Sequence, residues 1–98
     1  MAKYDLTPLA IEDLYDIWAY TVDTWSEDQA ERYYDRLTTA FLNLASSPDA
    51  LGKDYESIHK GLRGLHVGRH VIFFIKQPSG RVLIVRILHE RMDYKRHL

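Results

Sequence analysis

Trp25 is followed at once by Ser26-Glu27-Asp28-Gln29, and this junction constrains the fold more than any other feature of the chain. A serine with a glutamine three residues later is a capping box: the serine oxygen accepts the N–H of Gln29 and the glutamine side chain reaches back. Trp25, just before the cap, braces the entry. A helix therefore opens at Glu27. Upstream, after a short extended start over Ala2 to Leu6, Thr7-Pro8 supplies an N-cap and a proline at the first helical position, where its missing N–H costs nothing. Two helices with no linker between them must fold back as an antiparallel hairpin.

The faces of these helices follow from their periodicity. On a wheel of about 100° per residue, Ile11, Leu14, Tyr15, Trp18, Thr21, Val22 and Trp25 form one stripe, the expected core face of the first helix. Ile17 and Tyr20 fall outside it. The stripe of the second helix is Ala30, Tyr33, Tyr34, Leu37, Ala40, Phe41, Leu44 and Ala45, ending before Ser46-Ser47-Pro48. Trp18, Val22, Leu37, Phe41 and Leu44 are accordingly expected between the helices and a sheet.

That sheet comes from the last third of the chain. Residues 49–61 lack a period and read as a loop with room for a short helical turn. Leu62 to Val67, His70 to Lys76 and Arg81 to His89 are rich in valine, isoleucine and phenylalanine, and Gln77-Pro78-Ser79-Gly80 joins the last two as a hairpin turn. The order β-α-α-β-β-β predicts an α+β domain over residues 1–98: an antiparallel sheet packed on a helical hairpin, with a short C-terminal helix or tail from Arg91. One sheet face is expected to stay uncovered.

The net charge of −1 conceals a division. Residues 1–59 hold 4 Lys and Arg against 12 Asp and Glu, whereas residues 60–98 hold 9 against 2. Such a split either serves two kinds of partner or draws the two halves together in folding. The chain has no cysteine, which removes disulfides and thiol chemistry and fits a reducing cytoplasm. Its longest apolar run, Val71 to Ile75, is too short for a bilayer, and the N-terminus lacks a signal-peptide stretch, so a cytoplasmic protein with no membrane partner is expected.

Few residues suggest catalysis. His66 and His70 are four apart, but on a strand that spacing separates them by about 13 Å, too far to share a zinc ion. There is no G-x-S-x-G, and the glycines at 61, 64 and 68 do not make a dinucleotide fingerprint. No metal, cofactor or catalytic residue is assigned. Glu12, Asp13, Asp16 and Asp23 make an acidic outer face on the first helix. With Ile17, Tyr20 and Leu42 outside the stripes, that face is either simply solvated or a footprint for a partner. Arg86 interrupts the strand Val82 to Leu88. It lies either on the uncovered face or buried against a carboxylate, with Asp93 and Glu90 the nearest in sequence. By alternation Arg86 shares a side with Val82, Ile84 and Leu88.

Several of these segments occur together in one family. Leu6-Thr7-Pro8-Leu9-Ala10 with Asp13-Leu14 and Ile17-Trp18, Gln29-Ala30, Arg69-His70-Val71-Ile72-Phe73, and above all Val85-Arg86-Ile87-Leu88-His89-Glu90-Arg91-Met92-Asp93 resemble the ParE branch of the ParE/RelE toxin superfamily. The resemblance covers nearly the whole chain. It implies a β-α-α-β-β-β fold, neutralisation by a ParD-type antitoxin, and poisoning of DNA gyrase by the free toxin, without sequence-specific DNA binding of its own. Proteins of this kind are also called plasmid stabilisation proteins. The resemblance points to Arg86, His89, Arg91, Met92 and Asp93 as the toxic surface, with Arg86 its anchor.

Two other readings stay open: a ribosome-dependent messenger RNase of the RelE type, using the arginines at 63, 69, 81 and 86 with His89, and a non-toxic domain that only binds antitoxin. The antitoxin is expected to lay a C-terminal segment beside the helical hairpin at Asp13, Asp16, Ile17, Tyr20 and Leu42, with Lys or Arg facing the acids. Charge reversal at Asp13 and Asp16 is then expected to slow association.

Overall fold

The computed structural model describes residues 4–98, so the expected extended start at Ala2 and Lys3 lies outside the described residues. The elements run β1 (Tyr4–Leu6), α1 (Pro8–Thr24), α2 (Glu27–Ser46), β2 (Lys53–Asp54), β3 (Arg63–Val67), β4 (His70–Lys76), β5 (Val82–His89) and α3 (Tyr94–His97). Both N-cap bonds form, Thr7 Oγ1 accepting the Ala10 N–H and Ser26 Oγ that of Gln29, each at 3.0 Å, but the expected return bond of the Gln29 side chain to the cap is not among the hydrogen bonds of the described residues. The Gln29 carboxamide oxygen accepts from Arg32 Nη2 at 3.0 Å.

The sheet has the order β1-β5-β4-β3-β2. Three ladders are antiparallel; β1 pairs parallel to β5, with Leu6 opposite Ile84. The two-residue strand β2 lies within the segment expected to be a loop, paired through Lys53 with Gly64 and Asp54 with Arg63. Arg81 clasps Asp5 through Nε at 3.0 Å and Nη2 at 2.8 Å, tying β1 to the start of β5.

One core lies between the helices and the sheet. Leu37, Phe41 and Leu44 of α2 are fully buried against Ile72, Phe74, Val82, Ile84 and Ile87. A second lies on the opposite sheet face, where Leu62, Val71, Phe73 and Leu88 are covered by Tyr55, Ile58, Tyr94 and Leu98. The sheet face expected to be open is therefore roofed by the 55–62 segment and α3. Rings brace this roof: Tyr94 meets Phe73 edge-on at 4.9 Å, and Tyr55 meets Phe73 at 5.1 Å.

The first helix is rotated relative to its expected face. Ala10 and Thr21 are buried, and Leu14 and Ile17 pack on the core, whereas Ile11, Tyr15 and Trp25 are 55, 69 and 73% exposed. Trp18 and Val22 are only half-buried rather than central. The reason is that α1 is apolar on two sides. Its buried face is the one that carries the small Ala10 with Leu14 and Ile17, not the larger stripe of aromatics.

Alternation along β5 also fails. Phe74 pairs with Ile84 and Phe73 with Arg86, so Val85 is an extra residue, a β-bulge. The bulge changes the phase: Ile84 and Ile87 both face the helices, whereas Leu88 joins the second core.

Candidate functional site: a groove at one end of the sheet

Beyond Leu6 the edge of β5 has no strand beside it, and α1 takes over. Thr7 donates its N–H to the Ile84 carbonyl at 3.0 Å and its Oγ1–H to the Val85 carbonyl at 2.7 Å. The Ile87 N–H donates to Asp13 Oδ2 at 3.0 Å. The same carboxylate receives Arg86 Nε at 2.7 Å and Nη2 at 2.8 Å, a bidentate pair whose side chains are only 15 and 13% exposed. Arg86 Nη1 donates to the His97 carbonyl at 2.9 Å, fastening α3. The acid that holds Arg86 is thus Asp13, not Asp93 or Glu90, and Asp13 is not part of a solvated face. Its carboxylate raises the already high pKa of the Arg86 guanidinium.

Next to this pair an open groove of about 780 Å³ separates the hairpin from the end of the sheet. One wall is α1, through Asp13, Asp16, Ile17 and Tyr20; the other brings Tyr33 and Arg36 of α2 to Gly68 and Arg69 of the β3–β4 turn. His70, Ile87 and His89 lie between, with Met92 at the rim.

Tyr33 organises the far wall. Its hydroxyl donates to the Val67 carbonyl at 3.0 Å, accepts the Arg69 N–H at 3.1 Å and lies 2.6 Å from His70 Nδ1. With the phenolic proton on Val67, His70 Nδ1 is the donor in the short contact, which sets its tautomer. Burial pushes His70 down to about 4, with His89 adding in the same direction against the opposing pull of Glu90 and Asp13. Burial likewise raises the Tyr33 phenol. The tight fit depends on Gly68, whose φ of +58° is left-handed and whose added Cβ would lie 2.6 Å from Tyr33 Cε1.

His89 meets the His70 ring edge-on at 5.4 Å. Its Nδ1 accepts the Arg91 N–H at 3.1 Å, so the neutral ring carries its proton on Nε2. Arg36 lies over the Tyr33 ring at 5.7 Å and makes no ion pair among the described residues. Arg69, largely exposed, approaches Glu90 Oε2 only to 3.7 Å, while Glu90 Oε1 is held by His66 Nε2 at 2.8 Å. No group of three or more His, Asp or Glu among the described residues is arranged to hold a metal ion.

The expected site residues divide accordingly. Asp13, Asp16, Ile17, Tyr20, His89 and Met92 line one groove, and Arg86 stands behind Asp13. Ile17 packs on the core as well, contrary to its expected outward position. Leu42 is exposed on α2 outside the groove; Arg91 and Asp93 are exposed and also outside it, Asp93 preceding α3. Sequence reasoning missed Tyr33, Arg36, Arg69 and His70 as groove residues. Arg69 entered only through the RNase reading and, with His70, through the family resemblance, while Tyr33 reads as an ordinary core position.

A second feature borders the groove. Ile11 and Tyr15 of α1 and its C-cap Trp25, which also lines the groove, are exposed, with Tyr34 and Leu42 of α2. Trp18 meets Tyr34 edge-on at 6.1 Å. Residues 8–46 around them hold eight Asp and Glu against two Arg. An apolar surface of this kind on an acidic hairpin is unusual for a face that meets only water.

Residues 4–94 match the family model described as the ParE toxin of the type II toxin–antitoxin system parDE. The chain is 38% identical over 97 residues to Toxin ParE1 of Mycobacterium tuberculosis, covering 99% of this chain and 98% of the relative. It is 35% identical over 98 residues to Toxin ParE1 of Caulobacter vibrioides, covering 100 and 99%. It is 34% identical over 93 residues to Toxin ParE of Escherichia coli, covering 95 and 89%. The fold is shared with a chain of the chromosomal ParDE system from P. aeruginosa, at a TM-score of 0.77 and 19% identity over 88% of this chain and 92% of that one. With the helical hairpin packed on a five-stranded sheet, the match over nearly the full length is decisive: the chain belongs to the ParE family, a family of toxins of type II toxin–antitoxin systems.

Proposed function

We propose that this toxin acts in the cytoplasm by binding DNA gyrase and blocking replication, and that a ParD-type antitoxin neutralises it by covering the helical hairpin. The observation that carries the antitoxin reading is the set of exposed apolar side chains on the hairpin, Tyr15, Trp25, Tyr34 and Leu42, within an acidic surround. Such a surface suits an amphipathic segment with basic flanks. Asp16 and Tyr20 extend the footprint toward the groove. A second copy of this chain fits poorly, because a symmetric dimer would set the acidic surround against itself.

The toxic surface is assigned to the end of β5 and the segment after it: His89, Arg91, Met92 and Asp93, held in place by Arg86 through Asp13 and the His97 carbonyl. The action is binding, with no bond-breaking chemistry in the toxin. Purified full-length chain, assayed in parallel for inhibition of gyrase supercoiling and for messenger cleavage on ribosomes, is the deciding experiment. Inhibition that antitoxin relieves is the expected result, whereas cleaved transcripts with untouched supercoiling would replace this reading with the RNase one.

A further inference from the structure

The groove is electrostatically divided, and the division restricts what can lie in it. On the α1 wall Asp16 is exposed and makes no ion pair among the described residues, while the neighbouring Asp13 is neutralised by Arg86. On the opposite wall Arg36 makes no ion pair among the described residues and Arg69 is 71% exposed with Glu90 no closer than 3.7 Å; His89, between the walls, accepts the Arg91 N–H at Nδ1, which leaves Nε2 as its donor. These donors have unused capacity for an anion. Ile17 and Tyr20 of the α1 wall, Ile87 between the walls and Met92 present apolar surface.

We propose that the groove seats a peptide segment bearing a carboxylate at Arg36 and Arg69 of the far wall beside His89, an apolar side chain over Ile17 and Tyr20, and a cation toward Asp16. The segment belongs to the antitoxin, so the assignment rests on the docking reading above. The hairpin face alone would accept a basic amphipathic segment in either direction. The groove adds the requirement for an acidic residue, and because its two walls differ in sign it fixes which way the segment runs. A nucleic-acid backbone would satisfy the same arginines, but it is disfavoured. Its repeating negative charge would lie against Asp16 and a hairpin that is six charges net negative.

The test uses the full-length toxin and the antitoxin encoded in the same module. Arg36→Glu, Arg69→Glu and Asp16→Lys change exposed side chains, and unaltered circular dichroism and melting confirm that each variant folds. Each is expected to weaken antitoxin binding by about tenfold or more. Among antitoxin variants in which one Asp or Glu at a time becomes Lys, one is expected to restore binding to Arg36→Glu or Arg69→Glu. Unchanged affinity in both arginine variants, while Tyr15→Asp abolishes binding, would overturn the groove assignment and leave hairpin docking intact. Unchanged affinity in all of them, Tyr15→Asp included, would overturn docking as well. Binding of a single-stranded DNA or RNA oligonucleotide that the arginine reversals remove, with antitoxin affinity unaltered, would reassign the groove to phosphodiesters.

Discussion

Asp13 and Arg86, separated by 73 positions in the chain, form a bidentate ion pair at 2.7 and 2.8 Å, and the same carboxylate accepts the Ile87 N–H. One carboxylate thus closes the open edge of β5, fixes α1 across it and holds the arginine that fastens α3. Any loss of toxicity on changing Arg86 must therefore be separated from loss of fold.

Replacing Arg86 with Ala strands the Asp13 carboxylate in a largely buried position. A loss of about 3 to 5 kcal/mol is expected, read as a lower denaturation midpoint. Asp13→Asn, which keeps an oxygen for the Ile87 N–H, is expected to cost less than Asp13→Ala. Equal midpoints for Arg86→Ala and the parent protein would show that the pair is not a staple and would return Arg86 to a direct role at the toxic surface.

Phe41 is fully buried and meets the Tyr4 ring at 5.4 Å. Phe41→Ala removes a ring from the main core and is expected to cost about 3 to 5 kcal/mol, a large part of what so small a domain holds. Chemical denaturation of the purified variant checks this.

Tyr15→Ser is expected to alter stability by no more than about 0.5 kcal/mol, because the side chain is mostly in water. If the hairpin face is the antitoxin seat, the same change weakens the complex. A paired measurement of melting temperature and antitoxin affinity distinguishes this from the core position read from periodicity, which would require a much larger stability loss.

His70 supplies a pH dependence whose sign is fixed by burial. Its folded pKa of about 4 lies below the ordinary 6.5, so between those values the unfolded chain binds a proton that the folded one does not. Stability is therefore expected to fall as pH drops from 6.5 toward 4, with no further change from this group below 4. His70→Asn removes the term, so the difference in melting temperature between variant and parent narrows as pH falls through that window.

Gly68→Ala is expected to displace the Tyr33 ring, since its Cβ would lie 2.6 Å from Cε1 and the residue would need a left-handed backbone. Both effects act on the groove wall. A cost of about 1 to 3 kcal/mol is expected. Loss of the Tyr33–His70 contact is observable as altered imidazole resonances in NMR.

Local signals in the sequence determined the elements and their order. Thr7-Pro8 and Ser26 mark the helix starts because a cap is satisfied within three residues. His70–Lys76 is bounded as its β-branched and aromatic run predicts, and Gly80 closes the following turn by donating to the Gln77 carbonyl at 2.9 Å. The acidic and basic halves were equally plain, and their attraction is realised in Asp13–Arg86 and Asp5–Arg81. Only the tertiary structure decided which side of α1 is buried, because a helix apolar on two faces can turn either inward, and the choice depends on what α2 and the β5 edge leave room for. It also decided the phase of β5. The extra residue at Val85 is set by the partner strand, and a one-residue slip reverses every later side chain. The groove was legible only in part: Asp16 and His89 stood out within their own segments, but that they meet Tyr33 and Arg69 in one groove was hidden, because no spacing within one segment encodes the distance between two.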